Sequence, residues 1–490
     1  MFEVVEKGLM KIVGHENVAS DVKVLEEYSK DYSFAEPRKP MLVVYPKKAD
    51  EVSSIVRWAN ENVIPITPVS SGPPRFRGDT VPSEGGIILD LSRLKRILKI
   101  DERNRVVMVE PGVTFGELVP ELKRWGLRFA GPLLPRASKS VLTCFLEREP
   151  LTMPRYQWDY ADPILTLNVV LGTGDVLRTG SASGPGPLEE LSVDFVNPFG
   201  PGQADFFRFF MGAQGTMGIV TWATMKVELM PRLQKTYFVP SRNIENLIDF
   251  AYSLLNYGFG GVCHECLIMN NLNLAVMLAG KWPEEFNILR ENLPSWVLIT
   301  CLAGHRRAEE IVGIREKYLM ELAREFRLEP TRVFPGAPGK EGKMVELLGN
   351  PWSEEPYWKL RYKGSCQDIF FLTTLDKVKG FLDVMCGMLL EHGYPVKDLG
   401  VYVQPLMKGS ACHCEFSLPY NPAVSSEVET VKKLLLEASE ALMSRGAFFS
   451  RPYGPWAKMV YSRYGEGTAI LRQIKRVFDP NNILNPGKIF

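Results

Sequence analysis

The stretch GAQGTMGIVTWATMKVELMP, Gly212 to Pro231, constrains the chain more than any other. It opens with Gly212, Gly215 and Gly218, each three residues after the last, and continues into the β-branched run Ile219, Val220 and Thr221. An apolar strand pattern then follows and stops at Pro231. Glycines at this spacing leave the backbone bare, so a large flat ligand can approach it closely. The branched run supplies a stiff strand from which the loop hangs. Taken alone this is a glycine-bearing turn before a strand, and its meaning depends on what accompanies it.

At 490 residues the chain is too long for one core, so two or three domains are expected. The net charge of +1 gives no electrostatic case for nucleic acid or an anionic membrane. The opening MFEVVEKGLMKIVGHENV mixes charges into each short apolar run, unlike a signal peptide or a membrane span. Eight scattered cysteines make no disulfide framework, which favours a reducing compartment, with the cytoplasm as the default.

From Pro40 the order is strand (MLVVYP), amphipathic helix (ADEVSSIVRWANEN, with Val52, Ile55, Val56 and Ala59 on one face and Asp50 as its N-cap), strand (IPITPVS), the loop Ser70–Asp79, and strand (GGIILDLS). That is a small α/β unit with its loop at a strand end, where ligands sit. VVMVEPGVTFGELVPELKRWGL reads as a strand, a turn and a helix with a Thr114/Glu117 capping box, a buried stripe of Leu118, Leu122 and Trp125, a kink at Pro120, and Gly126 as its stop. DPILTLNVVLGTGDVLRTGS, Asp162 to Ser181, reads as a hairpin turning at Gly172–Asp175. Residues 232–445 alternate helices (244–257, 306–327, 376–391, 424–445) with strands (near 234–239, 263–280, 296–303, 366–373, 398–418), an α+β pattern. A helix at 467–477 precedes the terminus FDPNNILNPGKIF.

Five of these stretches, in order, resemble the vanillyl-alcohol oxidase and p-cresol methylhydroxylase family. The opening stretch is similar to its GxxGTLGIVT signature, and DPNNILNPGK to its DPxxILNPGK terminus. The resemblance implies an α+β protein: an FAD-binding domain at 1–231 in two subdomains (about 40–110 and 111–231), a substrate or cap domain at 232–445, and a segment at 446–490 returning to the first domain. The family's pyrophosphate loop, GGGTSxxGG, falls here on Ser71, Gly72, Pro73, Pro74 and Gly78. The prolines offer no N–H, so Arg75 and Arg77 are expected to supply charged contacts to phosphate instead. By position, Pro135, Ser138 and Thr143 fall in a second flavin loop, and Gly215, Gly218, Ile219, Asn485 and Lys488 fall in the signature and terminus. FAD is the implied cofactor.

For the chemistry, His413 and Glu415 lie two apart and so face one side of a strand, with Cys412 and Cys414 on the other. Such a pair can act as a base and its orienting partner. SRGAFFSRPYGPW resembles the family's GxxYRT phrase, with Arg451 on the arginine, Ser450 on the tyrosine and Tyr453 as a substitute. Arg451 is expected to clamp a carboxylate or to stabilise a phenolate or reduced flavin. Cys263-His264-Glu265-Cys266 lacks a matching second pair, so no metal is expected there or at His413. No GxGxxG follows an early strand, so electrons should leave the flavin for oxygen, a quinone, an electron-transferring flavoprotein or an iron–sulfur partner. The expected reaction is oxidation of a hydroxyl-bearing carbon, foremost in a small 2-hydroxy acid. An aryl alcohol or alkylphenol side chain, and an electron-relay or structural subunit of a redox complex, stand as alternatives. The substrate, the acceptor, the oligomeric state and the mode of flavin attachment are left open.

Overall fold

A computed structural model describes residues 2–154, 163–184, 195–202, 204–256 and 264–489. Three large sheets carry it. The first has the order Val18–Ala19, Leu42–Val44, Ile87–Asp90, Ile66–Val69, and the last three strands are parallel. The helix Ala49–Asn62 crosses over between two of them and buries Val52, Ile55, Val56 and Ala59 against the sheet, as its periodicity predicts. Its N-cap is Lys48 rather than Asp50, which lies in the first turn; Glu51 reaches back to accept from the Lys47 N–H at 2.7 Å.

The second sheet is antiparallel, in the order Ile97–Asp101, Val106–Val109, Ile219–Lys226, Ile164–Val170, Val176–Arg178. The strand after the three glycines is its centre, paired on both sides and buried from Ile219 to Met225. The helix Phe115–Arg124 carries the capping box and continues past Pro120. Trp125 is 46% exposed, because the helix has ended by Arg124 and the ring turns out to meet Glu121. Of the predicted hairpin, Asp162 lies outside the described residues.

The third sheet has six antiparallel strands: Leu233–Ser241, Trp296–Gly304, Glu265–Asn270, Gly400–Leu406, Ala411–Tyr420 and Ser365–Thr373. Helices Ile244–Asn256, Ala308–Glu325, Val378–Glu391 and Ser425–Ser444 cover one face. The strand expected over 263–280 ends at Asn270; Asn271–Leu278 is a helix whose N-cap, Asn270, accepts from the Asn273 N–H. Every side chain of that helix from Leu272 to Leu278 is buried, so its sequence shows neither period. The run 398–418 is two strands, divided where Lys408 and Gly409 adopt positive φ.

The terminus closes back on the first sheet. Leu484 bridges Ile66 in parallel, and Asp479 accepts from the N–H groups of Ile483 and Leu484 while pairing with buried Lys475 at 2.6 Å.

Candidate active site

Between the first two sheets and part of the opposite face of the third lies a cavity of about 460 Å³. Its wall draws on the loop after Ile66–Val69, the segment 132–150, the glycine stretch, and the sheet face carrying Asp368, Phe370, Tyr402 and Glu415. Strand alternation puts Cys412, Cys414 and Phe416 into the helix-covered core and turns His413, Glu415 and Ser417 the other way.

Of the residues expected to hold the cofactor, Ser71, Arg75, Pro135, Thr143, Gly215, Gly218 and Ile219 line this cavity. Gly72, Pro73, Pro74, Gly78, Ser138, Asn485 and Lys488 are not in its wall. The Gly72 N–H donates to the Ser138 carbonyl, the Gly78 N–H to Asp31, and Lys488 to the Gly78 carbonyl. Asn485 ties the Asp79 and Gln214 carbonyls together. These residues brace the loop in place. The glycines of the signature also answer to packing: a Cβ on Gly215 would stand 2.4 Å from Pro68, and one on Gly218 the same distance from Val169.

A tight cluster of charges, which the sequence reading missed, gathers beside Phe370. Glu149 is paired with Arg77 at 2.7 Å, Arg451 at 2.9 Å and Lys139 at 3.4 Å, and Lys139 also holds Glu147 at 2.6 Å. Burial pushes the Glu149 carboxyl up, but Arg451, Arg77 and Lys139 together overcome it and hold it well below the ordinary range. The Arg77 and Arg451 guanidiniums both lie on the Phe370 ring, at 4.3 and 4.2 Å from its centre. Arg451 itself is 4% exposed and stands behind the wall; among the described residues neither of its Nη groups has an aligned acceptor. Tyr453 does line the cavity, with Arg77 5.1 Å from its ring centre. Arg77 is thus committed to Glu149, and Arg75 donates to the Glu27 carbonyl and stacks on Tyr28. Asp79, also in the wall, is pushed up to about 7 by burial and by Glu147 and Asp31.

A second chain of charges runs along the cavity side of the third sheet. Lys359 bridges Asp368 at 2.5 Å and Glu415 at 2.6 Å, and Glu415 stands 3.3 Å from His413 Nε2. Lys359, Asp368 and Glu415 line the cavity, while His413, 2% exposed, lies behind Glu415. Burial favours a neutral Glu415, yet Lys359 and His413 outweigh it and keep the carboxylate ionised. Burial lowers the His413 pKa against the pull of Glu415, so its imidazole is neutral near pH 7. Lys359 and Asp368 carry no recognisable motif, and only the strand register brings Asp368 beside Glu415.

The wall fits FAD. Thr80 Oγ1 and Gln214 Oε1 are buried in it without a donor among the described residues, as acceptors for a cofactor rich in N–H and O–H groups. Ser70, Ser71 and Thr143 add hydroxyls, and Arg75 and Arg136 add positive charge.

A cavity with these hydroxyls and cations, between a two-sheet body and a third sheet, fits a flavin-dependent oxidoreductase. Residues 40–180 match the FAD binding domain family, and residues 456–489 the C-terminal domain of FAD linked oxidases. A glycolate oxidase subunit of Bacillus subtilis is 30% identical over 99% of this chain and 96% of its own length. The mitochondrial cytochrome-dependent D-lactate dehydrogenase of Arabidopsis thaliana is 28% identical over 99% and 82%. The crystal structure of p-cresol methylhydroxylase with substrate bound superposes with a TM-score of 0.79 at 20% identity, over 99% of this chain and 96% of that one. The chain belongs to the FAD-dependent oxidoreductases of the vanillyl-alcohol oxidase and p-cresol methylhydroxylase family, in kinship with glycolate oxidase and D-lactate dehydrogenase.

Proposed function

We propose that the protein oxidises the hydroxyl-bearing carbon of a small 2-hydroxy acid and passes the electrons to an acceptor other than NAD. The observation that carries this reading is the Lys359–Glu415–His413 chain on the sheet face that closes the cavity. FAD supplies the hydride acceptor of such a reaction. The protein's task is to take the hydroxyl proton and to balance charge. Glu415, in the wall, accepts the hydrogen bond of the substrate hydroxyl; His413 behind it holds the proton as an imidazolium that the carboxylate stabilises. Lys359 keeps Glu415 ionised and oriented. Around the Phe370 ring that His413 also meets, Arg77, Lys139 and Arg451 set three cations against the two carboxylates Glu147 and Glu149, an excess that favours negative charge developing nearby.

The relatives named above support the substrate class by their own reactions. A second reading, oxidation of an aryl alcohol or alkylphenol side chain, draws on the aromatic part of the wall: Phe76, Tyr357, Phe370, Tyr402, Tyr453 and Trp456. The test follows flavin bleaching under anaerobic mixing with a 2-hydroxy acid. His413→Ala should keep its FAD and bleach about 10²–10⁴-fold more slowly. Bleaching by the folded, flavin-loaded variant at the parent rate would remove His413 from the mechanism.

A further inference from the structure

Five cationic side chains line the cavity: Arg75, Arg77, Arg136, Lys139 and Lys359. Arg77, Lys139 and Lys359 are each neutralised by carboxylates within 2.7 Å. Arg136 differs. It is 8% exposed, and one N–H, on Nη1, donates to the Gly72 carbonyl at 3.2 Å. Among the described residues no carboxylate pairs with it, and its remaining N–H groups are not sealed in protein. Its guanidinium lies 5.3 Å from the centre of the Phe76 ring, and Phe76 in turn packs on Tyr357.

A buried cation without a counter-charge is costly unless a ligand supplies one. Burial pulls the Arg136 pKa down against the opposing pull of Tyr357 and Glu147, and Arg75 and Arg77 add like charge to it. The backbone around it is rigid: Trp352 donates to the Pro135 carbonyl and accepts from the Ala137 N–H, so the segment is stapled across to residues 350–358. Phe76 packs on Tyr357 and Tyr357 on Trp358, so the shelf under Arg136 is continuous with the wall that carries Lys359. The wall therefore holds a fixed fork of donors on an aromatic shelf, facing the space where ligands bind.

We propose that Arg136, with Arg75 beside it, is an oxyanion-binding site of this cavity, taking a carboxylate or a phosphate. Two sources bring that chemistry: the carboxylate of the substrate, which rests on the function proposed above, or the diphosphate of FAD. Arg451, expected from sequence to clamp a carboxylate, is paired with Glu149 behind the wall, and this leaves the task to Arg136.

The test uses Arg136→Met, which keeps the stem and removes the charge, and Arg136→Lys, which keeps the charge and loses the fork. FAD affinity is read on apo-protein by quenching of flavin fluorescence, and oxalate affinity on FAD-saturated protein by perturbation of the flavin spectrum. Arg136→Met should weaken one of the two by about 30-fold or more, and Arg136→Lys by less. A loss confined to oxalate assigns the substrate carboxylate, and a loss confined to FAD assigns the phosphate. In the parent protein, phenylglyoxal modification of Arg136, mapped by mass spectrometry, should be slowed by the same ligand. This decides the matter even where Arg136→Met fails to fold. Unchanged affinity for both ligands in a folded variant, or modification at one rate with and without each of them, overturns the site. If no 2-hydroxy acid bleaches the flavin, the proposed substrate falls, while the FAD and protection measurements still decide Arg136.

Discussion

His413 is the residue on which the proposed proton transfer turns, and its environment fixes a pH dependence. Burial lowers its pKa from the ordinary 6.5, so the neutral, proton-accepting form dominates at neutral pH. The base is lost only as pH falls through the folded value, which lies below 6.5. The rate of flavin bleaching should therefore be level through neutral pH and decline only on the acid side of 6.5. Stopped-flow traces across that range check this, and a decline centred above 6.5 would contradict it. His413 and Glu415 could be paired from the sequence because two residues on a strand share a face. Lys359 and Asp368 could not, since the contact that joins them to Glu415 spans 56 residues in one case and depends on sheet register in the other. Glu149 was hidden for the same reason: its partners, Arg77, Lys139 and Arg451, come from three separate parts of the chain.

Among the elements, the C-terminal segment ties the parts of the site together. Asp479 joins Lys475 to the N–H groups of Ile483 and Leu484, and Asn485 then binds the Asp79 and Gln214 carbonyls on two different cavity loops. Asp479→Ala should destabilise the protein by about 3–5 kcal/mol, because it leaves the Lys475 ammonium buried without its carboxylate. Urea unfolding measures this, and the same variant should release FAD more readily on dilution. A midpoint equal to that of the parent would show that the terminus is held by other contacts. The terminus was legible because Asp-Pro and Asn-Pro-Gly punctuate it so strongly. The helix Asn271–Leu278 was not, because an element apolar on every side carries no period. The loop Ser70–Asp79 was legible as a loop at a strand end, and part of it lines the cavity. Its Gly72 N–H meets the Ser138 carbonyl and its Gly78 N–H meets Asp31, and Arg136, which among the described residues has no carboxylate partner, lies in the second loop, where no sequence motif singles it out.

At the scale of the whole molecule, two sheets that carry the match to the FAD binding domain family face a third sheet that bears Asp368, His413 and Glu415, and the cavity lies between them. Among the described residues no helix is long and apolar enough to cross a membrane. The central claim is that this arrangement oxidises 2-hydroxy acids. It is tested most directly by mixing the FAD-loaded protein, without oxygen, with a panel of 2-hydroxy acids, aryl alcohols and alkylphenols while recording the flavin spectrum. The account predicts that at least one 2-hydroxy acid bleaches the flavin within the time of a turnover, with the matching 2-oxo acid formed in equal amount. A fully loaded, folded protein that no 2-hydroxy acid bleaches, and that an aryl alcohol or alkylphenol does, would contradict it.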